Sequence, residues 1–430
     1  MVEQIPQQIP QQQPLSERDA IIYVPGLFPS AGDQTADRIG QRLAAAFEVE
    51  SPHREASYSS APAFEFSFGD AKVGVVTVAE QHEENATPLV DVYTLDYARS
   101  FRDTASKRPP IVQGFIAALI VLFVSPRILR SIFMPSQSLG RRLQAFWAVG
   151  LLVLIMVYVG TLGYTAYQAA KTAFPAAAQS VEKMAKAPQQ SERTFTLEAV
   201  ILLLTALGLC TRVSLKDIIS LAGMETSGAL GYLAFGLNAG AMNGAVDRLL
   251  DSAIEQGCAH GIRYKRLHLI CYSFGSVITL DSLFPRGGGT PPRCARVVDG
   301  LVTIACPFDF IRSYWPKYFT KRGRQEGAPK RWLNIYRCDD ILASSFTDGD
   351  KPKGIETKDS AQECRPDNLL FGPDEAAGLG GLVLAGFRAH GDYWSKETLL
   401  DRNAFNPAVA FLFREHLMEP AREAEERVAN

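Results

Sequence analysis

The stretch Arg266 to Leu283, R-L-H-L-I-C-Y-S-F-G-S-V-I-T-L-D-S-L, is apolar and β-like up to Ser273 and helix-compatible beyond it. Leu267, Leu269 and Ile270 fit a buried strand, whereas Val277, Ile278 and Leu280 fit a helix. A chain that passes from strand to helix across one residue must turn sharply. Such a turn needs small residues two before and two after its apex, and it lifts the apical side chain clear of the sheet edge. Gly275 is the second small residue, and Cys271 fills the first position, where glycine is usual. The same S-x-G triplet occurs at Ser30–Gly32, Ser67–Gly69 and Ser138–Gly140, but only Ser273 stands directly between a strand pattern and a helix pattern. Ser273 is therefore the candidate nucleophile.

Other buried-strand patterns surround it. Asp19 to Gly26 (D-A-I-I-Y-V-P-G) reads as a strand ending in a Pro-Gly turn, followed by Leu27, Phe28 and a helix-like stretch from Asp33 to Phe47. Downstream, Val297 to Ala305 and Trp332 to Tyr336 read as strands, and the second runs into R-C-D-D-I-L-A-S-S-F, which offers Asp339 and Asp340. Histidine occurs six times, and only His390 and His416 follow both carboxylates. His390 lies in the glycine-flanked G-F-R-A-H-G-D-Y-W, a loop context. His416 lies in A-F-L-F-R-E-H-L-M, which reads as a C-terminal helix.

P-G-L-F near the start, C-Y-S-F-G in the middle, and N-I-Y-R-C-D-D-I-L-A-S-S-F and A-H-G-D-Y-W near the end together resemble the α/β-hydrolase superfamily of serine hydrolases, esterases and lipases. The resemblance covers roughly 19–97 and 224–417. It implies a mostly parallel sheet flanked by helices, with nucleophile, acid and histidine following in that order. On that pattern Ser273 is the nucleophile, His390 the general base and acid, and Asp340 the group that orients the imidazolium, with Asp339 as the alternative. The backbone amides of Leu27 and Phe274 are the expected oxyanion donors.

Composition agrees with a catalytic domain that carries something extra. The 430 residues exceed what one α/β domain of this kind needs. The formal charge of -2 leaves no basic bias and indicates no nucleic-acid partner. Seven cysteines, irregularly spaced and without a C-x-x-C pair, read as reduced thiols, so neither a disulfide framework nor a metal site is expected. No organic cofactor is implied.

The surplus falls in three apolar stretches, 111–124, 143–170 and 199–211. The middle stretch has no charged residue and exceeds the roughly 20 apolar residues that cross a bilayer as a helix. The other two are shorter. One sheet cannot have its halves on opposite faces of a membrane, so the number of crossings must be even, and two spans is the simplest solution. The odd stretch then lies at the interface. Basic residues near the span ends favour a cytoplasmic catalytic domain for either pairing: Arg127, Arg130, Arg141, Arg142, Arg212 and Lys216 in one, Arg99, Arg102, Lys107, Arg108, Lys171, Lys183 and Lys186 in the other.

The expected organisation is a disordered Gln/Pro-rich tail without signal-peptide character at 1–18, hydrolase-like parts at 19–98 and 217–418 around a membrane-associated helical insertion at 99–216, and a charged tail at 419–430. Residues 287–292 and 347–367 read as loops. The expected activity is two-step hydrolysis of a carboxylic ester, with lipid acyl esters favoured by the membrane tether. Two alternatives stand beside it: a membrane-anchored binding or scaffold protein that keeps the fold without turnover, and a soluble enzyme whose apolar insertion caps the site.

Overall fold

Alternate residues of β1 (Ser16–Val24) point to opposite sides of the sheet, and both sides are apolar. Ala20, Ile22 and Val24 join one core cluster, and Ile21 and Tyr23 join another. A strand buried on both faces requires layers above and below it, which is the situation of a parallel sheet with helices on each side. The structure is a computed structural model. It describes residues 16–26, 35–51, 57–69, 71–81, 85–95, 172, 226–340, 342–348, 351–358, 363–372, 389–394 and 403–417.

The described chain continues through α1 (Ala36–Glu50), β2 (Ser57–Phe68), β3 (Ala71–Gln81), β4 (Ala86–Thr94), α2 (Thr226–Phe235), α3 (Ala239–Ala259), β5 (Ile262–Tyr272) and α4 (Phe274–Leu283). There follow β6 (Val298–Ile304), α5 (Phe308–Tyr314), β7 (Arg331–Tyr336), β8 (Thr347–Asp348), β9 (Lys351–Pro352), β10 (Asp367–Leu370) and α6 (Phe405–Leu412). Eight strands form one sheet in the order β10-β7-β6-β5-β1-β4-β3-β2. Every neighbouring pair from β10 to β4 is parallel, and β3 runs antiparallel to both β4 and β2. The protein is thus α/β, with a mostly parallel eight-stranded sheet flanked by helices.

The two faces are covered by different parts of the chain. Tyr232 of α2, Met242, Val246 and Leu249 of α3, and Val277 and Leu280 of α4 pack with Leu267, Leu269 and Cys271 of β5. On the other face Ile39, Leu43 and Phe47 of α1 and Phe405, Val409 and Leu412 of α6 pack with Ile270 and Tyr272. Each such fully buried aliphatic or aromatic side chain contributes about 1.5–3 kcal/mol relative to exposure. The Thr35 hydroxyl caps α1, accepting from the Arg38 amide at 3.4 Å.

Several element bounds differ from the sequence expectation. The helix expected over 33–47 is Ala36–Glu50, shifted by its cap at Thr35. Val297 ends a tight 3-10 turn, so β6 starts one residue later, and Ala305 leaves the strand with a φ of 54°. The stretch 347–367, expected as loop, contains the small β8–β9 pair and the first residue of β10. The β2–β3 hairpin was not anticipated; its half-exposed, polar first strand lacks clean alternation, and Pro62 suits its place on the sheet edge.

The three apolar stretches, residues 1–15 and residues 419–430 lie outside the described residues. Ser16, Glu17 and Arg18, expected in the N-terminal tail, instead open β1, because they pair with Ile262, Arg263 and Tyr264 of β5. Among the described residues, no helix is long and apolar enough to cross a membrane.

Candidate active site

The C-terminal ends of the parallel strands meet at one edge, and the candidate residues come from there. β5 ends at Tyr272, and Ser273 is the single residue between it and α4. Its backbone has φ 52° and ψ −125°, a conformation that costs free energy for any residue with a β-carbon and persists only where surroundings hold it. The Ser273 amide donates to the Ile304 carbonyl of β6 at 2.8 Å, and its own carbonyl accepts from the Ser276 amide at 3.0 Å.

The small residues expected around the turn have physical reasons. A β-carbon on Gly275 would stand 2.2 Å from the Pro25 carbonyl oxygen and 2.5 Å from that of Val24. One on Gly26 would stand 3.0 Å from the Ser273 β-carbon. The end of β1 and the start of α4 therefore touch through glycine. Cys271 fits because its side chain points away, into the core below α4, where its thiol donates to the Thr279 hydroxyl at 3.1 Å. Burial pushes that thiol up to about 12, so it stays protonated at neutral pH.

Ser273, His390 and Asp340 form one hydrogen-bonded chain. Ser273 Oγ is 2.7 Å from His390 Nε2, and His390 Nδ1 is 2.8 Å from Asp340 Oδ2. All three are buried. An ionised carboxylate can only accept, so the Nδ1 proton belongs to the histidine, and Nε2 is left free to accept from the serine. The other Asp340 oxygen, Oδ1, accepts from the amides of Leu342 at 2.9 Å and Ala343 at 3.2 Å.

Of the two adjacent acids, Asp340 turns inward and Asp339 does not. Asp339 forms a two-pronged pair with Arg337, at 2.8 and 2.7 Å, which holds its carboxyl below the usual carboxylate range despite partial burial. His416 lies beyond α6, 3.9 Å from Glu80 and apart from the chain of three. Ser67 sits at the exposed end of β2 before the hairpin turn at Gly69. Ser30 and Ser138 are outside the described residues, as is Leu27, whose neighbour Gly26 ends the described part of that loop. Phe274 is the first residue of α4, which places its amide at a helix N-terminus beside the serine.

Two tyrosines complete the site. The Tyr272 hydroxyl donates to the His390 carbonyl, and its ring stacks on the imidazole with centroids 5.4 Å apart. The Tyr393 hydroxyl donates to Asp340 Oδ2 at 3.0 Å. Burial and the Asp340 charge raise both phenols well above their ordinary range, so both remain donors. Neither was assigned a role from sequence. The faint signal was position, since Tyr272 precedes the serine and Tyr393 follows the histidine closely in A-H-G-D-Y-W.

Set against protein-family models, curated proteins and solved structures, the chain matches none of them. What these residues can do follows from their placement. A hydroxyl on a strained turn beside an imidazole, itself held by a buried carboxylate, can give up its proton as it attacks an electrophile.

Proposed function

We propose that this protein is a serine hydrolase of the α/β-hydrolase kind, acting on carboxylic esters through Ser273, His390 and Asp340. The observation that carries the reading is the unbroken Ser273–His390–Asp340 chain at 2.7 and 2.8 Å, beginning at a serine with φ 52° between a central parallel strand and a helix.

In this reaction Ser273 Oγ bonds to the ester carbonyl carbon while its proton passes to His390 Nε2. Asp340 balances the imidazolium charge through Nδ1. The tetrahedral oxyanion lies against the amides of Phe274 and Leu27. His390 returns the proton to the departing alcohol, which leaves Ser273 acylated. Water, deprotonated by the same histidine, then releases the acid.

Lipid acyl esters are the favoured substrates, and membrane attachment through the apolar stretches is part of the same proposal. The insertion is rooted beside the site. The chain leaves the sheet after Leu95, at the end of β4 on the same edge as Ser273, and its amide there donates to the Tyr23 carbonyl at 3.0 Å. It returns through α2, whose Tyr232 packs edge-on against Phe274 with centroids 5.4 Å apart.

The test is labelling with a fluorophosphonate probe on folded wild-type protein and on Ser273→Ala. Labelling that disappears in the variant is expected. Equal labelling of both would remove Ser273 from the reaction, and no labelling of either would favour a binding or scaffold role.

A further inference from the structure

We propose that Tyr393 is a positioning residue that sets the proton affinity of His390 through its hydrogen bond to Asp340. The proposal rests on the serine-hydrolase reading for its consequence in turnover.

Tyr393 is fully buried, and its hydroxyl has two partners. It accepts from the Arg337 amide at 3.0 Å and donates to Asp340 Oδ2 at 3.0 Å. The direction of the second bond is fixed, because an ionised carboxylate has no proton to offer and the phenol's accepting side is turned to Arg337. Its ring is held between Phe371, stacked with centroids 6.1 Å apart, and Tyr272, edge-on at 6.2 Å.

Asp340 Oδ2 therefore accepts two bonds, from Tyr393 and from His390 Nδ1, and Oδ1 accepts two amides. Four donors on one carboxylate satisfy both of its oxygens and prevent it from pivoting. They also share its negative charge. The donor nearest the imidazole in this balance is Tyr393, which contacts the same oxygen. Each increment of charge that the phenol draws from Oδ2 weakens the attraction that favours the imidazolium. The other groups around the histidine are unchanged by the substitutions that follow: Tyr272 donates to its carbonyl, Arg337 and Asp339 pair with each other, and the Asp392 carboxylate acts by its charge on Tyr272 and Arg337.

The signs of two substitutions follow. Tyr393→Phe removes a donor from Oδ2, concentrates charge beside Nδ1 and should raise the His390 pKa by about one unit, the size expected for a lost bond to a charged group. Site-specific 3-fluorotyrosine at 393 keeps both bonds and strengthens the donor, and should lower it. The experiment is an NMR titration of the His390 imidazole in the full chain, wild type and both variants, with the pH dependence of fluorophosphonate labelling followed alongside. A rise in the first variant and a fall in the second, with the acid limb of labelling moving in step, is the expected result. An unchanged His390 pKa in folded 3-fluorotyrosine protein would overturn the proposal and leave Tyr393 a packing residue. The titration decides the coupling even if wild-type protein does not label, an outcome that would count against the hydrolase reading separately.

Discussion

Gly275 lies so close to Pro25 that a β-carbon on it would meet the Pro25 carbonyl oxygen at 2.2 Å. That contact joins the end of β1 to the start of α4 and so fixes the height of Ser273 above the sheet. The obstacle is backbone, which cannot swing aside as a side chain could.

Gly275→Ala should therefore damage both stability and labelling. Overpacking of this kind costs about 1–3 kcal/mol, and a serine displaced by 1 Å loses on the order of a hundredfold in rate. Denaturant midpoints and fluorophosphonate labelling rates measure the two effects. A variant as stable and as reactive as wild type would mean that the turn is looser than these distances require.

Asp340→Asn should keep the fold and lower turnover by up to about four orders of magnitude, since the amide cannot balance an imidazolium. Asp339→Asn should leave turnover within a few-fold of wild type. Steady-state rates of an ester substrate compare them, and the reverse ranking would contradict the orientation of the two side chains.

Asp339 should instead show itself in acid stability. Arg337 lowers its carboxyl in the folded protein, so the folded state binds fewer protons than the unfolded chain between the two values. The stabilisation is fully present above the unfolded value of about 3.9 and is lost as pH falls through the lower folded one. Unfolding free energy of Asp339→Asn should accordingly fall less steeply below pH 4 than that of wild type. Parallel slopes would show that the pair contributes nothing in solution.

Asp281, on the last turn of α4, accepts from Arg322 at 2.7 Å, Arg286 at 2.6 Å, Tyr232 at 2.8 Å and Tyr318 at 2.7 Å. Arg322 is also buried. Asp281→Ala would strand that guanidinium, and removing one partner of a buried pair costs roughly 3–5 kcal/mol. Chemical denaturation is the measurement, and a loss below about 1 kcal/mol would show that the carbonyls of Tyr318 and Phe284 suffice for Arg322.

β4 precedes the apolar stretches, β5 follows them, and both pair with β1. Reporters placed before Ile111 and after Lys216 should therefore report one compartment, and resistance to carbonate extraction should accompany an even number of crossings. Opposite compartments would be incompatible with a single sheet.

The strands legible in the sequence were those buried on both faces. β1, β5, β6 and β7 carry mostly apolar runs, and Ser273 ends one of them conspicuously. His390 was reachable because histidine is scarce and only two copies follow the acids. β2 and β3 were not legible, because a half-exposed edge hairpin mixes polar and apolar residues without a dominant period. Tyr272 and Tyr393 were missed for another reason. In an aromatic-rich stretch a tyrosine reads as core, and the direction of its hydroxyl is set by the tertiary fold. The Asp281–Arg322 pair spans 41 positions, and no local pattern links its partners.

The placement of β1 between β4 and β5 also dictates an order of assembly. Asp19 of β1 binds Arg266 across 247 positions, and the Asn403 amide reaches the Arg42 carbonyl across 361. Closing such long loops adds little to the equilibrium cost, which grows only with the logarithm of length, but distant pairings form slowly. On the ribosome, β1 must wait with one edge unpaired until the whole insertion and β5 have been made. The face sealed by α6 stays open until Phe405–Leu412 has emerged. The apolar stretches are thus synthesised, and available to a membrane, before the sheet that flanks them can close.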